Sequence, residues 1–243
     1  MNKVVNNVRV AELDGLSDTI VRLYRDNPAV ARDAFVAATM GEVERLSADI
    51  TTAILRDKAR STLQDADKAR DKAITALGKA LAGYAALPLP AKQAAAAPLL
   101  AVYEKYARAG ITTANYLSAS AMTESLLEDL ADENLAGKTA ALEGVAEAIA
   151  AIRAAQDDFT AANDSYVAAS KSRGATATDI KKPLLAAINE KLLPYLTAMR
   201  LADNADCAPF AAAVGTEIAR LNESVARRSK KGGAAEPTPA PHE

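Results

Sequence analysis

The stretch Leu63-Gln-Asp-Ala66-Asp67-Lys-Ala-Arg70-Asp71-Lys-Ala-Ile74-Thr-Ala-Leu77-Gly-Lys-Ala-Leu81-Ala-Gly-Tyr84 decides the fold class. Leu63, Ala66, Ile74, Leu77, Leu81 and Tyr84 share one face of a 3.6-residue period, and good helix formers fill the other positions. No polar/apolar alternation of strand length occurs in it. Leu87-Pro88-Leu89-Pro90 ends the helix, because a residue before proline is driven out of the helical region. Asp67 and Arg70 fall between Leu63 and Ile74, on or beside the apolar stripe, and at i,i+3 spacing they can pair.

The same period continues in both directions. Upstream, a short helix is expected from about Ser17 to Arg25. After the Asn27-Pro28 cap, Phe35, Ala38, Val43, Leu46, Ile50 and Ile54 mark another. Downstream, Leu99, Val102, Tyr103 and Tyr106 mark a helix up to Gly110, and Ser118 to Leu130 another. Val145, Ile149, Ile152, Phe159 and Tyr166 mark a long one, stopped near Gly174. Thr178 or Asp179 is expected to cap a helix carrying Leu184, Leu185, Ile188, Leu192, Leu196 and Met199. Asp206 is expected to cap a last one with Phe210, Ile218, Leu221 and Val225. Alanine makes up about a quarter of the chain and lets helices approach closely. The expected fold is all-α: an up-and-down antiparallel bundle of about six main helices.

Pro98-Leu-Leu-Ala and Pro183-Leu-Leu-Ala are identical, and at the same offset Ile74 aligns with Phe159 and Leu81 with Tyr166. Either a duplication or the low complexity of an Ala/Leu-rich chain accounts for this; a duplication gives two pseudo-repeated halves, divided at the polar run Asp132 to Lys138 into residues 1–132 and 133–229. The Pro- and Gly-rich residues 230–243 cannot bury a core and are expected to be a disordered tail.

Composition removes several function classes. The 243 residues carry 29 Lys+Arg and 31 Asp+Glu, a net charge of -2, so no general basic field exists to attract nucleic acid. The one cysteine, Cys207, leaves no intramolecular disulfide or Cys-based zinc site. The one histidine, His242, stands in the tail, so the folded part has no His for a catalytic triad or a di-iron site. No apolar run approaches the roughly 20 residues of a membrane span. No cleavable signal is visible, and a cytoplasmic location is expected, with a signal-independent route to the cell surface as the alternative.

The run Leu63-x-x-Ala66-Asp67-x-x-Arg70-Asp71 followed by Leu77 resembles a helix motif of a DUF-type family of helical-bundle proteins of unknown function, common in Bacteroidota. The Ala94-Ala95…Leu99…Tyr106 helix, the Tyr116…Thr123-Glu124…Leu127…Leu130 segment and the Phe159 helix stand in the same order. The resemblance covers most of residues 10 to 228. The family's Asn before and Arg after the Phe of that helix are not matched; Asp157, Asp158 and Asn163 stand nearby. Some members carry a haemagglutinin-type label, which implies an adhesive role and supplies no catalytic residues.

Among candidate sites, the Asp67–Arg70 pair stands out as a buried polar pair. It would either bind a ligand or fix the register of the bundle. The carboxylate pairs Glu42/Glu44, Glu124/Glu128 and Glu143/Glu147 lack the His partners of bundle metal sites and read as solvated faces. Arg227-Arg228-Ser-Lys230-Lys231 complements a helix C-terminus, and Arg228 is expected on the surface. Cys207 precedes a first helical turn and reads as a buried or half-buried thiol. No catalytic, metal or cofactor site is assigned, and no cofactor is expected. The expected function is non-enzymatic protein–protein contact, as a scaffold or interaction module. The partner is unknown, a homodimer is the simplest form, and neither nucleic acid nor a membrane span is involved. The alternatives are a surface adhesin, a small-molecule-binding bundle or a His-free enzyme.

Overall fold

The computed structural model describes residues 1–171 and 174–232. Most of the expected tail, from residue 233 on and including His242, lies outside the described residues. Among the described residues the regular structure is entirely helical. The helices are α1 (Val10–Arg25), α2 (Ala34–Ala86), α3 (Pro90–Arg108), α4 (Tyr116–Leu130), α5 (Glu133–Ala140), α6 (Val145–Ser170), α7 (Ala177–Ala186), α8 (Leu193–Leu201) and α9 (Ala208–Gly232). A 3-10 turn spans Val30–Arg32, and a π-helix, Ala187–Leu192, joins α7 to α8.

Several local expectations are corrected. The two helices expected across residues 35–84 are the single 53-residue α2. Between Ile54 and Leu63 the apolar period lapses, but Leu55-Arg-Asp-Lys-Ala-Arg60 contains good helix formers and no Gly or Pro, so nothing stops the helix. Asp33 caps α2, accepting the Val36 N–H at 2.9 Å, in place of Asn27. The polar run at 132–138 is itself a helix, because Asp132 caps it by accepting the Asn134 N–H at 2.8 Å. Thr176 caps α7 and Asp179 closes its capping box, where Thr178 or Asp179 was expected to cap. Asn204, and not Asp206, accepts an N–H ahead of α9, from Cys207 at 3.0 Å.

The chain divides into two compact units: Met1–Leu55 with the described part of Ser172–Glu243, and Arg56–Lys171. Neither boundary coincides with the division expected at residue 132. Ile74 and Phe159, aligned as repeat partners, both belong to the second unit, on α2 and α6. The reason is that α2 supplies apolar stripes to both units, so the chain leaves the first unit within a helix and returns to it after residue 171.

In the first unit α1, residues 34–55 of α2, α7–α8 and α9 run alternately up and down. Ser17 meets Ser47, and Asp14 meets Thr51, so α1 and α2 are antiparallel. Glu42 meets Lys191, and Asp33 meets Tyr195, so α7–α8 opposes α2. Tyr24 meets Phe210, and Glu12 meets Arg228, so α9 opposes α1. The core is built from residues such as Leu13, Ile20, Met40, Ile50, Ile188 and Phe210. Phe35, expected in it, is 45 % exposed and instead stacks on the Tyr195 ring at 4.4 Å.

In the second unit residues 56–86 of α2, then α3, α4 and α6, make a second up-and-down set. Tyr84 lies by Lys92, and Tyr103 lies on Gly78, where an added Cβ would stand 2.1 Å from the ring. Glu124 meets Arg153 and Ser120 approaches Gln156 through Arg70, which makes α4 and α6 antiparallel. From Ile74 upward, α2 packs with α3, α4, α5 and the first turns of α6. Below it, Leu63 and Ala66 pack with Phe159, Ala162 and Tyr166 of α6. Between these two apolar clusters lies a polar layer.

Candidate functional site

Arg70 occupies that layer. It stands one helical turn before Ile74 and two turns after Leu63, so α2 directs it inward with the apolar stripe. Its side chain is 0 % exposed. Nη2 donates to Asp67 Oδ1 at 2.6 Å, one turn back on α2. Nη1 donates to Ser120 Oγ of α4 at 3.0 Å and to Gln156 Oε1 of α6 at 3.2 Å. The guanidinium lies over the Phe159 ring, 3.9 Å from its centroid. Gln156 and Phe159 are three apart on α6, so one helix face supplies both the acceptor and the ring. Nε is buried without a hydrogen-bond partner.

The layer is electrostatically uneven. Asp67 keeps 25 % of its side-chain surface in water. Asp71, on the next turn, has its carboxyl pushed above the ordinary range, first by desolvation and then by the negative charge of Asp67, with Arg70 partly offsetting both. A guanidinium stays protonated and cannot exchange protons with a substrate. With no surface of its own in water, Arg70 reaches a ligand only if the bundle opens. As it stands, the arrangement pins three helices in one register and holds the Phe159 ring.

The Phe159 ring carries the layer outward. Tyr116, first residue of α4, meets it edge-on at 5.4 Å. Asn115 starts α4 here, its side chain accepting the Ser118 N–H at 3.0 Å. Tyr116 is 39 % exposed, and its neighbour Leu117 is 83 % exposed.

Three of the other candidate carboxylates are held in ion pairs. Glu42, Glu44 and Glu124 pair with Lys191, Arg25 and Arg153. Among the described residues, no three His, Cys, Asp or Glu side chains come together as a metal-holding group. Tyr106 is buried up to its hydroxyl, which donates to Asp129 at 2.6 Å. Lys105 donates to the same carboxylate and, with Tyr106, holds it below the ordinary range. Arg228, expected on the surface, is only partly exposed. It pairs with Glu12 and donates to the Asn7 carbonyl oxygen at 3.1 Å, because α9 lies along α1. Cys207 is buried, and burial raises its thiol pKa. Among the described residues, no helix is long and apolar enough to cross a membrane.

Sequence reasoning placed Asp67 and Arg70 together but missed Ser120, Gln156 and Phe159 as their partners. The available signal was Gln156, a polar residue at an apolar-period position between Ile152 and Phe159. A model of a family of unknown function, DUF6261, matches residues 60–214, and the chain belongs to that family. No curated protein and no solved structure matches the chain significantly.

Proposed function

We propose that this member of the DUF6261 family acts by protein contact, with the start of α4 as its docking platform. The observation that carries this reading is Leu117, a large apolar side chain left almost wholly in water on the first turn of a capped helix. Tyr116 beside it is amphipathic, as residues that anchor interfaces tend to be. The platform is rigid: Tyr116 rests on Phe159, Phe159 on Arg70, and Arg70 is tied to three helices. A preorganised apolar pair loses little conformational freedom when it is covered. Arg70 then serves as a positioning residue for the platform, consistent with its inaccessibility to a ligand. A photo-cross-linking residue at Leu117, introduced in the native cell, tests this. A discrete adduct is expected at Leu117 and none at Ser125, an exposed polar position two turns along α4. Absence of an adduct at Leu117, or equal labelling at both positions, overturns the reading.

A further inference from the structure

Residues 1–8 form no helix, yet they are held in the first unit as a bound peptide is held. Asn189 accepts the Val4 N–H at 2.9 Å and donates to the Val4 carbonyl oxygen at 2.9 Å, so one side-chain amide reads both polar groups of one residue. Asn222 reads the two peptide groups that flank the Val4 α-carbon. It accepts the Val5 N–H at 3.2 Å and donates to the Lys3 carbonyl oxygen at 2.8 Å. Lys181 donates to the Asn6 carbonyl at 3.1 Å and Arg228 to the Asn7 carbonyl at 3.1 Å. Val4 and Val8, four residues apart, are both buried in the first-unit core. Asn189 lies in the π-helix and Asn222 on α9, so the segment is clamped from two sides. Among the described residues its ends border two open hollows, one lined by Met1, Asn2, Gly215 and Arg220, the other by Asn6, Lys181, Leu185 and Asn189.

We propose that the channel between the π-helix and α9 is a peptide groove, filled in this structure by residues 1–8 of the same chain, which run into a turn closed by the Val8 N–H on the Val5 carbonyl oxygen at 3.3 Å, and that the same segment of a second copy occupies it in trans. The amide clamps read main chain alone, so the groove distinguishes ligands by its two apolar slots, which are fitted to valine at i and i+4. Residues 1–8 of another copy match it by construction, and exchange of an identical element is a low-cost route to a dimer. In one chain the tethered segment competes at high effective concentration, so exchange rises with protein concentration. The π-helix has a role here. Its wider turn sets Asn189, otherwise a core position, against the Val4 backbone, in keeping with the frequency of π-turns at functional sites. This groove belongs to the first unit and does not depend on the Leu117 platform of the second.

The test uses a fluorescent peptide of residues 1–9, the wild-type chain, and a full-length chain with V4S and V8S, which weakens the seating of the tethered segment in the first-unit core. The loosened chain is expected to bind the peptide at least about tenfold more tightly than wild type does. In that background N189A and N222A should each weaken binding by about tenfold, with helix content retained by circular dichroism. Equal binding by wild type and loosened chain, or indifference to both asparagines, overturns the groove. Mixed with isotope-labelled wild type, the loosened chain should form a heterodimer visible by native mass spectrometry and dissolved by excess peptide. No heterodimer at concentrations where the peptide saturates overturns the second copy as occupant. Should the loosened chain fail to fold, amide exchange in the wild type is the second readout. The Val4 and Val5 amides should exchange faster as peptide displaces the tethered segment, and unchanged exchange overturns the proposal.

Discussion

Replacing Arg70 with alanine removes the centre of the polar layer, and the cost follows from what is left behind. The Asp67 carboxylate loses its counter-ion while Asp71 stands one turn away. Gln156 Oε1 loses its donor at a buried position, and Phe159 loses the group stacked on it. Breaking a fully buried pair costs about 3–5 kcal/mol. Water reaching Asp67 lowers this, while the unpaired Gln156 acceptor and the new cavity raise it. A loss of about 3 kcal/mol is expected, a large share of a domain stability of about 5–15 kcal/mol. Urea unfolding followed by far-UV circular dichroism measures it. The combination of R70M and D67N, which fills the slot and removes the stranded charge, should lose less than half as much, because a buried ion pair often yields to apolar groups of similar volume. A loss below about 1 kcal/mol for R70A, or no advantage for the methionine combination, would refute the view that Arg70 is buried here and balanced by Asp67.

The raised carboxyl of Asp71 gives a pH prediction. A group whose pKa is raised by folding contributes stability that is present below its unfolded pKa and lost as pH rises through its folded one. D71N is therefore expected to be more stable than wild type at neutral pH, with an advantage that vanishes on acidification through the carboxylate range; paired thermal melts across that range check this. Gly41 is exposed in α2 with nothing near its missing Cβ, so G41A should stabilise by roughly 0.5–1 kcal/mol. G78A must displace the Tyr103 ring and should show no such gain in the same urea assay. Burial and a raised pKa make the Cys207 thiol slow to react, so a colourimetric thiol reagent should label it only as the chain unfolds.

The helix faces were legible because their apolar residues keep a 3.6-residue period wherever a core face is needed. Leu63, Ile74, Leu77 and Leu81 are all buried as that period requires. The division into units was not legible. It depends on α2 passing from one core to the other without a breaker, and a lapse in the period at residues 55–62 looks the same in a sequence whether the helix ends or continues. Caps were misplaced by a few residues because Thr176, Thr178 and Asp179 are all competent, and only the capping box separates them. Asp67 and Arg70 were visible as polar residues by an apolar stripe. Their partners come from α4 and α6, 50 and 86 residues away from Arg70, and periodicity on one helix carries no information about which helix faces it. Asn189 and Asn222 lie farther still from the segment they clamp, and the π-turn that aims Asn189 has no composition signal.

The claim that the start of α4 is a docking platform is tested most directly by affinity purification of the wild-type chain and L117D from the native cell, side by side and matched for melting temperature. Leu117 makes no core contact, so the substitution should leave stability unchanged while placing a charge at the centre of the platform. The account predicts a protein recovered in stoichiometric amount with wild type and lost with L117D. The same proteins recovered in the same amounts with both chains would contradict it.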